Sequence, residues 1–360
     1  YERVCIETFA PVTDEFISNR EISILPFVPH NIDERATEIL KLQAAGLAGR
    51  LKKINCESVV IGISGGLDST LALIVAVEAF NINGYDKKGI HAITMPCYGT
   101  TDRTLNNARR LMEILEVTSY EINIKDACEQ HYKDIGYDKS KLDVTFENVQ
   151  ARERTQILMD VSNKIGSLVV GTGDLSELAL GWCTYNGDQM SMYGVNASIP
   201  KTLVRGILES YAEHHEGLKD VLLDICDTPV SPELLPPNED GTIKQKTEDK
   251  IGSYVVHDFI LYYMLRHGFG PKKIFDLYVN AKTMHEKNIG VKEPVVDKQE
   301  LLNNMDIFYN RFWTQQFKRS CMPDGVKVGS VSLSPRGDWR MASDACQGIW
   351  LDELKDLKEK

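Results

Sequence analysis

No apolar run in these 360 residues reaches the ~18–20 needed to cross a bilayer as a helix. The longest apolar helix-like stretch, Leu71 to Val77, is of core length, so no membrane partner is expected. Positive charge is in deficit: 41 Lys and Arg stand against 52 Asp and Glu, for a formal net charge of −11. A chain with pI ≈ 5.3 lacks the basic footprint that nucleic-acid binding needs. No CxxC pair occurs among the eight cysteines, and no Cys/His cluster has zinc spacing. The economical reading is free thiols in a reducing cytosol. A signal peptide, an internal repeat and a low-complexity tract are all missing from the sequence, as are GxxxxGK[ST] and GxGxxG. With 42% apolar and 26% charged residues, disorder is excluded too.

What is present alternates. Residues 1–30, with Pro11, Pro26 and Pro29, read as an arm or linker. Asn31 to Ile54 carries Leu40, Leu47, Leu51 and Ile54 on roughly one helical face. Strands are expected at Ser58–Ile63, Gly89–Met95, Ser119–Ile124 and Ser167–Val170, with helices at Ser69–Phe80, Arg103–Leu115 and around Glu147–Ile165. This alternation predicts an α/β fold, a mostly parallel doubly wound sheet with helices on both faces. Ligands of such sheets lie outside the carboxyl ends of the strands. Pro229–Gly252, rich in proline and charge, reads as a long mobile loop of the kind that serves as a lid.

The first strand runs into Gly62-Ile63-Ser64-Gly65-Gly66-Leu67-Asp68-Ser69-Thr70. Adjacent glycines let the backbone approach a ligand closely. The amide groups behind them, at a helix N-terminus, suit an anion. Ser64 and Ser69 add hydroxyls, and Asp68 adds a carboxylate that can hold Mg²⁺ against phosphates. The alternative for Asp68 is a helix N-cap.

A second block, Gly171-Thr172-Gly173-Asp174-Leu175-Ser176-Glu177-Leu178-Ala179-Leu180-Gly181-Trp182-Cys183-Thr184-Tyr185, follows the fourth strand and should face the same crevice. Asp174 and Glu177 have capping-box spacing, or Glu177 is a second metal-ligating carboxylate across from Asp68. Trp182 and Tyr185 are core aromatics or stack on an aromatic ring of a ligand. Cys97, in Met95-Pro96-Cys97-Tyr98, reads as a small buried thiol rather than a nucleophile.

The SGGLDS loop resembles the pyrophosphate loop of the N-type ATP pyrophosphatases, which split ATP between the α and β phosphates. The second block resembles the synthetase domain of the glutamine-dependent NAD synthetases. So do Glu147-Asn148-Val149-Gln150-Ala151-Arg152, Val195-Asn196-Ala197-Ser198-Ile199-Pro200-Lys201-Thr202, Phe317-Lys318-Arg319-Ser320 and Ser334-Pro335-Arg336-Gly337-Asp338-Trp339-Arg340. The resemblance runs from about residue 35 to the C-terminus. It implies a Rossmann-like fold of the adenine nucleotide alpha hydrolase type over residues 31–282. Residues 283–360 would be a helical C-terminal extension completing the substrate site.

The resemblance also implies roles. Gly62, Ile63, Ser64, Gly65, Gly66, Leu67, Asp68, Ser69, Thr172, Lys201 and Ser231 match ATP-site positions. Asn148, Arg152, Glu177, Trp182, Cys183, Thr184, Tyr185 and Lys318 match positions that hold deamido-NAD (nicotinic acid adenine dinucleotide). Asp68 and Glu177 match magnesium ligands. The implied activity is a carbon–nitrogen ligation: ATP adenylates the nicotinate carboxylate, ammonia displaces AMP, and NAD results. Asp68, Glu177 and Lys201 would manage charge at the α-phosphate. Asp174 is a candidate acceptor for the proton that ammonium must lose, with capping as its other role.

Full-length relatives join a nitrilase-type glutaminase domain N-terminal to this one. The chain begins at Tyr1 and shows no such module, so it reads as the synthetase half of a longer protein, fed by ammonia and cytoplasmic. The family's habit implies a homo-oligomer. A GMP synthetase-like enzyme and a tRNA-modifying pyrophosphatase are the alternatives. The GTGDLSELALGW and FKRS segments speak against the first, and the acidic charge and missing CxxC against the second.

Overall fold

The apolar β-branched runs become strands of one sheet. The computed structural model describes residues 21–228, 234–236, 247–287 and 295–359. Its first part runs α1 (Ile32–Lys53), β1 (Val59–Gly62), α2 (Leu67–Asn83), β2 (Ile90–Thr94), α3 (Asp102–Ile114), β3 (Thr118–Glu121), α4 (Lys125–Asp134), α5 (Val144–Ile165), β4 (Leu168–Gly171), α6 (Leu175–Leu180), β5 (Tyr193–Gly194), α7 (Lys201–His214) and α8 (Glu216–Cys226). All strand pairs are parallel, in the order β3-β2-β1-β4-β5.

Side chains alternate across the pleat. Val59 and Ile61 of β1 and Leu168 and Val170 of β4 enter a core shared with α1, α2, α3, α7 and α8. Val60 and Val169 point the other way, into a core with Cys128 and Tyr132 of α4 and Phe146 of α5. Helices therefore cover both faces. On α1 the buried stripe is Ala36, Ile39, Leu40, Gln43, Ala44, Leu47, Ala48 and Leu51, the spacing of one helical face. Ile54 falls beyond the helix end and is exposed. α2 is apolar nearly all round because it is enclosed nearly all round.

The second part is helical: α9 (Thr247–Ile251), α10 (Tyr254–His267), α11 (Pro271–Lys287), α12 (Lys298–Thr314), α13 (Gln316–Arg319) and α14 (Gly348–Lys358). With α6 these helices build a third core around Phe259, Tyr278, Phe308 and Phe312. Ile22 and Ile24, from the stretch read as an arm, are buried in it. α11 crosses the expected boundary at 282/283. The rest of the arm, residues 1–20, lies outside the described residues, as does most of the 229–252 segment, which ends in α9 where the sequence suggested only loop. No described helix is long and apolar enough to cross a membrane.

Strand order turns back on itself between β1 and β4. At this switch point the carboxyl ends of two neighbouring strands lead into diverging connections and leave a crevice. The loop after β1 is the SGGLDS segment, and the loop after β4 is the GTGDLSEL segment.

Candidate active site

The crevice at the switch point has a volume of about 710 Å³. A larger hollow of about 790 Å³ lies along the β3 edge. It gathers none of the strand-end loops, and two of its charges, Arg109 and Glu121, already pair with each other at 2.8 Å. The crevice, where the strand-end loops converge, is therefore the candidate site.

Its floor begins at the β1 turn. Gly65 takes φ +85°, and a Cβ there would stand 2.1 Å from the Thr104 carbonyl oxygen, so only glycine lets the loop pack on α3. The Gly66 amide donates to Ser64 Oγ at 3.2 Å, and the Ser64 amide to Ser69 Oγ at 3.3 Å. These bonds hold the turn without capping the helix behind it. Gly66, not Asp68, is the N-cap of α2, which starts at Leu67, two residues earlier than its sequence suggested, and no side chain caps it. Its first amides therefore remain available to an anion.

Asp68 instead turns its carboxylate to Lys201, the first residue of α7. Lys201 Nζ is 2.5 Å from Asp68 Oδ2, 2.8 Å from Asp174 Oδ2 and 3.0 Å from Glu177 Oε1. Its side chain is only 6% exposed. Burial alone would depress the ammonium's pKa, but Asp174, Asp68 and Glu177 outweigh it and hold the group charged, well above the ordinary lysine value. Burial raises Asp174 well above the usual carboxylate range and Glu177 to about 7.

The capping box is half built. Asp174 Oδ1 accepts the Glu177 amide at 2.7 Å, while the Glu177 carboxylate goes to Lys201. Asp174 sits fully buried behind the cavity wall, where it both caps α6 and faces the ammonium. That position does not meet the crevice, as a proton acceptor for ammonium would. Buried Asn196 joins the two loops by donating to the carbonyls of Asp68 (2.9 Å) and Thr172 (3.1 Å).

One ammonium does not balance three carboxylates. Asp68, Asp174 and Glu177 each offer an oxygen within 4.8 Å of the others, and Asp68 Oδ1 is buried without a hydrogen-bond partner. An all-oxygen, anionic donor set of this kind fits a hard divalent cation.

The other expected site residues divide. Asn148, Thr172, Trp182, Cys183, Thr184 and Lys318 line the crevice, as do all the β1-loop positions from Gly62 to Ser69 except Gly65. Arg152 and Tyr185 do not. From α5 the crevice is lined by Val144, Glu147, Asn148, Ala151, Arg154, Thr155 and Leu158; Arg152, one turn beyond Asn148, lies at the edge of that stripe and is exposed. Its guanidinium donates to the Tyr185 carbonyl at 3.3 Å, and the Tyr185 ring packs on Phe317 at 5.4 Å. Both stand on the rim. Thr184 Oγ1 donates to Asn148 Oδ1 at 2.7 Å. Trp182 has one face under the Arg311 guanidinium, 5.1 Å from its ring. Cys97 is half-buried and outside the wall. Ser231 lies outside the described residues.

Sequence reading missed Asp188, Tyr254 and Arg311, which line the crevice too. Tyr254 stacks its ring over Lys201 Nζ at 5.4 Å. Leu234 and Lys250, both within the expected 229–252 lid, also reach the cavity. The Leu234 carbonyl accepts from Gln150, and Lys250 pairs with Glu147 at 3.2 Å.

α6 has only six residues, and the far end of the chain secures its carboxyl end. Gly181 ends it at φ +57°, where a Cβ would meet Gln315 Cβ at 2.3 Å. Arg311 donates to the carbonyls of Leu180 (2.9 Å) and Gly181 (3.3 Å). Lys318 donates to Gly181 (2.8 Å) and Cys183 (2.7 Å). Arg319, almost wholly buried, donates to Leu178 (3.1 Å) and Ala179 (2.7 Å). Three cations thus satisfy the orphan carbonyls of a helix C-terminus, where positive charge is favourable.

The model of the NAD synthase family matches residues 39–288. A glutamine-dependent NAD(+) synthetase of Mycobacterium leprae is 44% identical, the match covering 93% of this chain and 52% of that protein. The one from Thermotoga maritima is 29% identical over 85% of this chain and 47% of its own length. The chain thus spans about half the length of the curated relatives it matches. Among solved structures, a glutamine-dependent NAD(+) synthetase from Cytophaga hutchinsonii superposes with a TM-score of 0.70 at 18% identity, over 90% of this chain and 56% of that one. NMN synthetase from Francisella tularensis gives 0.52 at 22% identity, over 74% and 100%. At these identities the two structures speak to the fold.

Proposed function

This chain belongs to the NAD synthase family, and from that premise we propose that it is the synthetase unit of a cytoplasmic, homo-oligomeric ligase that converts deamido-NAD to NAD with ATP and ammonia. Residues 31–282 form the unit and residues 283–360 complete its substrate site. The observation that carries the reading is Lys201 Nζ within 3.0 Å of Asp68, Asp174 and Glu177, beside the uncapped N-terminus of α2 at the β1/β4 switch point.

A nicotinate carboxylate is resonance-stabilised and resists ammonia until it is activated. It is already ionised at neutral pH, so its attack on the α-phosphate of ATP needs charge management rather than a base. The α2 amides and the hydroxyls of Ser64 and Ser69 hold the departing pyrophosphate. Lys201 offsets the charge gathered at the α-phosphate, and the three carboxylates keep it protonated. Asp68 and Glu177, with Asp174 behind them, are the residues that would hold Mg²⁺, which when bound neutralises phosphate charge as a Lewis acid. In the second half, ammonia attacks the acyl carbon and AMP leaves. Trp182, Thr184 and Asn148 line the wall where the nicotinate and its ribose would lie, and Lys318 stands beside them. The deciding experiment supplies ATP, Mg²⁺, ammonia and candidate acids and measures AMP and NAD; AMP formed with an acid other than deamido-NAD would reassign the substrate.

This 360-residue polypeptide should use ammonium salts but not glutamine. Incubation with glutamine in ammonia-free reagents is expected to give no NAD. Robust glutamine-dependent synthesis would sink the view that the 360 residues hold the synthetase unit alone.

Because the carboxylate is activated before nitrogen arrives, labelled pyrophosphate should exchange into ATP when deamido-NAD is present and ammonia absent. Lys318→Ala should weaken the apparent affinity for deamido-NAD by roughly tenfold to a hundredfold, the worth of a charge-assisted contact of about 1.5–3 kcal/mol. The affinity for ATP should move much less. Exchange titrated separately in each substrate checks both halves, and a defect confined to ATP would move Lys318 to the nucleotide side.

A further inference from the structure

α7 lacks a side-chain cap. Its N-cap is Pro200, which has no acceptor to offer, and the amides of Lys201 and Thr202 fall in the orphan first turn. Both are satisfied from elsewhere. The Lys201 amide donates to Ser176 Oγ at 2.8 Å. The Thr202 amide and hydroxyl donate to Asp258 Oδ2 at 3.0 and 2.7 Å. The Ser176 hydroxyl donates in turn to Asp258 Oδ1. Asp258 belongs to α10, is 1% exposed and does not line the crevice.

One carboxylate from a third helix therefore ties two others together. α6 carries Ser176 and Glu177 behind its N-cap Asp174, and α7 begins with Lys201. A Ser or Asp at position 200 would have capped α7 alone. An acceptor shared with Ser176 fixes, in addition, the distance between the ammonium and its carboxylates.

We infer that Asp258 is a positioning residue for the adenylation centre, setting through Ser176 and Thr202 where Lys201 stands relative to Asp174 and Glu177. The inference rests on the ligase reading above. Misplacement of a charge by about 1 Å costs up to on the order of 10²-fold in rate. Loss of the clamp should therefore appear chiefly in kcat, while KM changes less, because Lys201 and Glu177 are only two of the many groups that line the crevice.

The test measures pyrophosphate exchange and melting temperature for Asp258→Asn, Ser176→Ala and the double variant. Leu354→Ala, at the one buried position of α14 and in the same helical core, is the control matched for stability. Asp258→Asn should lower kcat about thirtyfold and Ser176→Ala about fivefold. The double variant should fall within about twofold of Asp258→Asn, because the two act along one path. KM for ATP and deamido-NAD should stay within about threefold. Multiplying losses would overturn the inference, as would an equal kcat loss in Leu354→Ala at the same melting temperature. If Asp258→Asn does not fold, Ser176→Ala and Thr202→Val decide: kcat reduced in both supports the clamp, and wild-type kcat in both overturns it. A wild type without exchange would overturn the ligase reading, and this inference with it. An active wild type beside an undiminished Asp258→Asn overturns the inference alone.

Discussion

Replacing Asp68 by Asn or Glu177 by Gln should lower turnover by on the order of 10²-fold or more, the scale on which a preorganised charge matters at a reacting phosphate. Neither change should unfold the protein. Gly66 caps α2, so the Asp68 carboxylate has no capping duty there. The Glu177 side chain does not complete the capping box, and Asp174 receives its amide whether or not the carboxylate is present. Each substitution removes one anion from a cluster in which anions exceed the single ammonium, so the remaining set is electrostatically easier to fold. Turnover and melting temperature measured on the same preparations distinguish this from a purely structural role. Variants that lost about 1 kcal/mol of stability and kept their activity would show that the carboxylates only support local structure.

Lys201→Met should have the largest effect. Turnover is expected to fall by on the order of 10³-fold. The stability cost should depend on pH in a definite direction. Removing the ammonium strands three carboxylates in a buried site, a loss of about 3–5 kcal/mol when they are ionised. Glu177 already has its folded pKa raised from 4.5 to about 7 by burial, and burial raises Asp174 as well. A group whose folded pKa lies above its unfolded value contributes stability below the unfolded pKa, and that contribution is lost as pH rises through the folded one. Without Lys201 both carboxylates shift further up, so the variant is nearly relieved at pH 5, where they carry protons, and most destabilised at pH 8. The melting-temperature gap between wild type and Lys201→Met, followed in chelator from pH 5 to pH 8, should widen steadily. A gap that stays constant would mean that the ammonium is not what holds these carboxylates together.

Much of this was legible from the residues. Val59–Gly62 and Leu168–Gly171 are short, apolar and β-branched, and the loops that follow them hold glycines and carboxylates where strand ends place ligands. β5 left no such trace. It is two residues long, too short for any periodicity, and it exists because it finds Val170 and Gly171 alongside. α6 was concealed inside a motif whose chemistry drew attention from its backbone. Asp258 did leave a signal: the pair His257-Asp258 interrupts the apolar run Tyr254–Leu261, and a charge inside a buried helix needs partners. What the run could not show is that the partners are Ser176 and Thr202, 82 and 56 positions away. Arg152 was matched to the substrate site by its motif alone; the structure sets its guanidinium at the rim on the Tyr185 carbonyl, while Arg154 lines the wall.

The three cations at the end of α6 also have a consequence for how the protein comes into being. A six-residue helix cannot hold its shape alone, and the residues that secure its last turn are not synthesised until Arg311, Lys318 and Arg319 leave the ribosome. At about 5–20 residues per second, Glu177 precedes them by on the order of ten seconds. Through that interval the nascent chain has its phosphate loop and its central strands but not a fixed acidic cluster. The site closes last, from the tail inward, so a translation product cut short before residue 311 would carry the recognisable motifs of the family without the geometry that makes them act.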